Sequence, residues 1–153
     1  MNRIAEALHA VAVTLWVGGL WAVGLLVAPM LFHHLADRAL AGDLAGRLFA
    51  AMAYVGLGCG AYLLLYRLLR FGGAALRQGF LWVTLLMLLL VAAGQFGIQP
   101  ILASLKEQAM PEQVMESVFR ARFSAWHGVA SVLYLIESAL GLALVLLQAR
   151  TPR

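Results

Sequence analysis

The chain has little of what soluble domains depend on. Charged residues make up only 12% of its 153 positions, about half the share usual in a soluble domain. It has one lysine, Lys106, and one cysteine, Cys59. A single cysteine excludes an intramolecular disulfide and a thiolate cluster for zinc or iron–sulfur. Cys59 lies inside an apolar run and is expected to be a small packing residue. No P-loop, dinucleotide motif or nucleophile–base pair appears. The net charge of +4 comes from arginines at the ends of apolar runs. No basic stripe with interleaved aromatics accompanies them, so anionic headgroups, not nucleic acid, are the expected contact. No internal repeat or low-complexity segment stands out. These absences leave substrate and reaction unnamed.

What is present is apolar. Hydrophobic residues make up 63% of the chain, and mean hydropathy is +0.89. A membrane-spanning helix needs roughly 20 mostly apolar residues, and it satisfies its own backbone, as lipid requires. Four such runs are predicted, at about 5–32, 46–68, 80–102 and 123–148. The first outlasts a typical signal-peptide core of roughly 7–15 residues, so a retained signal-anchor helix is expected. The reading is a single all-α domain over 1–153, an integral membrane four-helix bundle. Loop charges set orientation. Six basic residues flank one side and five the other. The compact Arg67, Arg70 and Arg77 cluster, with no acid nearby, predicts both termini on the cytoplasmic side.

The third connection holds more than a loop. Pro111 suits a first helical position, Glu112 suits a first turn, and Val114, Met115, Val118, Phe119 and Phe123 recur at helical spacing. An amphipathic segment at the outer interface, or an extension of the fourth span, is expected. Gly56 and Gly60 form a GxxxG spacing, and Gly18 and Ala22 a small-residue pair. Close backbone approach replaces hydrophobic driving force in lipid, so a tight bundle or a dimer face follows. Trp16, Trp21, Trp82 and Trp126 include interface anchors, with Trp82 and Trp126 at span starts.

Polar residues in the spans are few. His127, Ser131, Tyr134, Ser138 and Gly141 share one face of the fourth span and should look into the bundle, as packing hydrogen bonds or a lined cavity. Glu137 lies off to one side and must be protonated, paired or near water. Gln95, Tyr54 and Tyr62 are its expected hydrogen-bonding groups. In the first span His9, Val13, Trp16 and Leu20 share a face. His9 and His127 fall at opposite sides of a core roughly 30 Å thick, too far apart for one metal. His33 and His34 fall on the same side as His127, with Met30, Met110 and Met115 nearby. Imidazole and thioether suit copper, and imidazole suits haem iron or zinc. His33, His34 and His127 are therefore the candidate metal or haem site, beside the bland reading of headgroup contact. His127→Ala is expected to destabilise the bundle or abolish binding, and His33→Ala to leave the fold intact.

Several motifs carry a resemblance. They are His9-x6-Trp16-x-Gly18-Gly19, Ala-Pro29-x-Leu-Phe32, the stretch ending Gly-Arg-Leu-Phe49, and Phe123-x-x-Trp126-His127-Gly128-x-x-Ser131. Together they resemble the bacterial domain-of-unknown-function 4149 family, which is similar to the eukaryotic transmembrane protein 205 group. The resemblance covers nearly the whole chain. It implies a four-span membrane protein of undefined biochemistry, with links to resistance or trafficking. A more distant similarity is to CopD-type copper-resistance proteins and HemJ-type protoporphyrinogen oxidases. The latter use a lysine within a span, whereas Lys106 falls in a loop here. The expected function is a non-enzymatic assembly or accessory protein of the bacterial inner membrane, homo-oligomeric or bound to another membrane protein. The alternatives are outer-face copper or haem handling, or small-molecule resistance. A haem-dependent oxidoreductase ranks last.

Overall fold

The computed structural model describes residues 3–110 and 113–149. Four helices are long and apolar enough to cross a membrane: Arg3–His34, Arg38–Arg77, Gly79–Ala109 and Arg120–Ala149. They are named spans 1 to 4. No strand occurs among the described residues. The chain is an all-helical, multi-pass membrane protein.

Helix ends follow local chemistry. Span 1 stops where Leu35 turns extended. Asp37 then caps span 2, its carboxylate accepting from the backbone N–H of Ala39 at 2.8 Å and Leu40 at 3.1 Å. Such a cap satisfies donors that the first turn otherwise leaves open. Helix therefore begins at Arg38, and most of the loop expected over residues 33–45 is absorbed into span 2. At its far end, Gly72 adopts φ 52°, a conformation glycine tolerates best. A tight 3-10 turn, Gly72–Arg77, leads into span 3.

Spans 1 and 3 are each interrupted. The π-helical stretches Ala22–Val27 and Ala93–Ile98 end two residues before Pro29 and Pro100. A proline in a helix lacks an N–H and collides with the carbonyl four residues back. The widened turns sit where that carbonyl needs room.

The expected amphipathic helix does not form over 113–119, which runs in turns. Ser117 explains part of this. Its hydroxyl donates to the Val114 carbonyl at 2.9 Å and accepts from the Phe119 N–H at 3.2 Å. A serine competing for nearby backbone in this way offers an alternative to helix. Pro111 and Glu112 lie outside the described residues.

The core joins all four spans through Val13, Trp16 and Val17, then Leu63, then Phe80, Met87 and Val91, then Leu144. Outward faces carry Leu25, Leu89, Leu135 and Leu146, all more than half exposed, as lipid contact requires.

Candidate functional site

The face that His9, Val13, Trp16 and Leu20 share on the first span is turned inward. His9, Trp16 and Leu20 are buried along it, spaced seven and four apart so that they stack on one side. Trp16 is therefore a core residue, not an interface anchor. It is 1% exposed. Its indole lies over two glycines of span 2. A Cβ added at Gly56 would sit 2.6 Å from Trp16 Nε1, and one at Gly60 would sit 2.9 Å from Cη2 and Cζ3. The GxxxG spacing is thus a seat for an indole within the bundle. Only glycine leaves room for the ring.

Trp16 Nε1 donates to Glu137 Oε1 at 3.3 Å, and both groups are buried. This answers what partners the intramembrane acid. The expected groups do not supply it: Gln95 makes no hydrogen bond to it, Tyr54 is 58% exposed, and Tyr62 donates to the Ala5 carbonyl at 3.1 Å. The pairing was hard to see because a tryptophan rarely suggests itself as a carboxylate's partner. The available signal was His9, Trp16 and Leu20 aligned on one face, with a donor at mid-depth.

Two further links cross from span 1 to span 4. Trp21 Nε1 donates to the Ser138 carbonyl at 3.2 Å. The Tyr134 hydroxyl donates to the Leu20 carbonyl, beside the π-helical stretch. Tyr134 also packs edge-on against Phe49, with ring centroids 5.1 Å apart. It lies so close to Gly24 that any side chain there would collide with it.

The fourth-span stripe is only half buried. Tyr134 and Ser138 are partly covered, while Glu137, Gly141 and Leu144 form the truly buried line. The inward face is thus rotated toward the residue that seemed to lie beside it. His127 and Ser131 are exposed. The Ser131 hydroxyl folds back to the His127 carbonyl at 2.9 Å. The stripe is not one continuous inward seam.

The two ends of the bundle differ. His9 is buried against Tyr66 and Phe80, with ring centroids at 4.9 and 5.2 Å. Arg67, which the sequence reading treated as a topology signal, is only 4% exposed. Its guanidinium lies 4.0 Å over Phe80, and Nη1 donates to Gln78 Oε1 at 3.0 Å. At the other end His33, His34 and His127 are all exposed. His33 and His34 meet edge-on at 5.0 Å, while His127 stacks on Phe123 of its own helix at 6.0 Å. Among the described residues, no three His, Cys, Asp or Glu side chains are gathered so as to hold a metal ion. The three candidate histidines are not brought into one cluster.

The remaining motif residues divide similarly. Gly19 meets Met52 of span 2, whereas Gly18 and Gly128 have open space above them. Trp126 is partly covered. Trp82 is 55% exposed and donates to the Leu76 carbonyl at 2.9 Å, a placement that suits an anchor at a span start.

The family described as "Domain of unknown function (DUF4149)" matches residues 11–111, and the chain belongs to it. The matched region covers the indole, its glycine seat and the Arg67 environment. It ends before Glu137 and before the Phe123–Ser131 element. No curated protein and no solved structure matches the chain.

Proposed function

We propose that this DUF4149 protein is a bacterial inner-membrane protein, with both termini cytoplasmic, that works non-enzymatically as an assembly or accessory protein. The observation that carries the reading is the Trp16–Glu137 hydrogen bond over the Gly56 and Gly60 seat. Intramembrane acids default to a functional role. Here the carboxyl is engaged in tying spans 1 and 4 together, alongside the Trp21 and Tyr134 links. The bundle's polar interior serves its own cohesion. Its outer faces meanwhile expose Gly18, Gly58 and Gly128 with nothing above them, and small residues allow another helix to approach closely.

Two measurements test this. Native lipid extraction into nanodiscs should recover a defined homo-oligomer or a stoichiometric complex with one membrane protein. A lone monomer would overturn the assembly reading. Glu137→Gln keeps an acceptor for the indole and removes the titratable group. It should retain the wild-type melting temperature, and proteoliposomes loaded with a pH-reporting dye should show no protein-dependent proton flux. Flux by the wild type that Glu137→Gln abolishes would make the acid a proton carrier instead.

A further inference from the structure

The end of the bundle that holds His9 combines a groove, excess positive charge and unsatisfied buried nitrogens. The groove encloses about 470 Å³ and is lined by Ala5, Tyr62, Leu65, Tyr66, Leu69 and Arg70. It lies between the start of span 1 and the end of span 2. Leu65 and Leu69 are 56% and 78% exposed, so its apolar wall is open to lipid.

Charge at this end is unbalanced. Arg3, Arg67, Arg70 and Arg77 gather here against Glu6 alone among the described residues. Arg70 Nη1 lies 3.5 Å from Glu6 Oε1, and the carboxylate is half exposed. A good N⁺–H···O⁻ bond is about 2.7–2.9 Å, so this pair is loose and replaceable. One helical turn back, Arg67 is buried beside Tyr66 with no carboxylate on it. Its Nε and the Nε2 of His9 are buried and unpartnered. Buried polar atoms are nearly always satisfied, and an Arg Nε can only donate. Neither nitrogen lines the groove, but Arg67 sits one turn behind Arg70 as a buried positive charge, and Glu6 is the one carboxylate paired at this end among the described residues.

We infer that this groove binds the phosphate of an anionic phospholipid. Arg70 is the principal contact, Tyr66 supplies a hydroxyl donor, and Arg67 backs the site with a buried positive charge. The acyl chains lie along Leu65 and Leu69. Clustered basic residues at a membrane face commonly recognise such headgroups. This site differs in being a recess with an apolar wall and a loosely held arginine.

The test uses full-length protein in nanodiscs of phosphatidylcholine doped with phosphatidylglycerol, with bound phosphatidylglycerol counted by native mass spectrometry. Work at about 1 M salt shortens the Debye length to ~3 Å, which silences remote charges and leaves direct contacts. Arg70→Gln should lower apparent affinity about tenfold, the ~1.4 kcal/mol of one hydrogen bond to a charged group. Arg77→Gln removes the same charge outside the groove and should stay within about twofold. Glu6→Gln should raise affinity, because it removes the competing carboxylate. This second variant moves the signal in the opposite direction, so a folding defect in Arg70→Gln leaves the inference testable. Excess inorganic phosphate should not displace the lipid. Equal losses for Arg70→Gln and Arg77→Gln would overturn the inference in favour of diffuse attraction. So would equal retention of phosphatidylcholine, and displacement by inorganic phosphate would reveal a free-anion site.

Discussion

His9 and His127 stand at matching places, each near the head of a span. One is 7% exposed between Tyr66 and Phe80. The other is exposed and rests on its own helix through Phe123. The cause lies in the connections. The tight turn Gly72–Arg77 that ends span 2 leads through Gln78 into span 3, and it brings Tyr66 and Phe80 together over His9, with Arg67 against Phe80. At the opposite end the described residues 113–119 ahead of span 4 carry no helix. The short connection there, residues 35–37 between spans 1 and 2, leaves His127 exposed. Whether a polar residue in an apolar run is buried depends on what the next connection delivers across from it.

The comparison is broken most severely at the residue that both ends rely on. Trp16→Ala should cost about 3–5 kcal/mol, the range for truncating a buried aromatic. It empties the Gly56 and Gly60 seat and leaves Glu137 without its donor. Unfolding in mixed micelles, followed by circular dichroism, measures this. A loss under ~1 kcal/mol would mean that the indole is not what joins spans 1, 2 and 4.

Two glycines only two positions apart offer a sharper contrast. Gly56→Ala forces a methyl to 2.6 Å from the indole nitrogen and should cost about 1–3 kcal/mol through overpacking. Gly58→Ala meets nothing within 4 Å. It should leave melting unchanged while weakening any oligomer that packs on that face. Equal effects of the two on melting would contradict the indole seat.

Much of this architecture could be read in the apolar runs. Four spans of sufficient length follow from composition, because lipid demands internally satisfied helices. That His9, Val13, Trp16 and Leu20 share one face of span 1 followed from their spacing, and the structure turns that face inward. The role of Gly56 and Gly60 was half legible: the spacing predicted close approach, but not that a side chain of the same bundle would fill it. Glu137 was recognised as needing a partner, yet its donor lies 121 positions away and on another span. Periodicity ranks faces within a helix and says nothing about which face of which neighbour lies opposite. The burial of Arg67 was hidden for a related reason. A basic residue near a span end usually reports topology, and only the turn at Gly72 shows that this one folds under Phe80.

The last contrast concerns the histidines themselves and sets the two ends directly against each other. His9→Ala removes two ring contacts from a closed site. At about 0.5–1.5 kcal/mol for each aromatic pair, a loss of ~1–3 kcal/mol is expected, with a lower melting temperature in detergent. His127→Ala removes an exposed ring that stacks on Phe123 of its own helix. Exposed substitutions usually stay within ~0.5 kcal/mol, so melting should not change. This reverses the expectation drawn from sequence, in which His127 headed an inward seam. The stripe repeats correctly, but although span 3 packs beside its outer turns, with Lys106 5.9 Å over Phe123, His127 and Ser131 stay exposed. A destabilised His127→Ala beside a neutral His9→Ala would invert the assignment of closed and open ends.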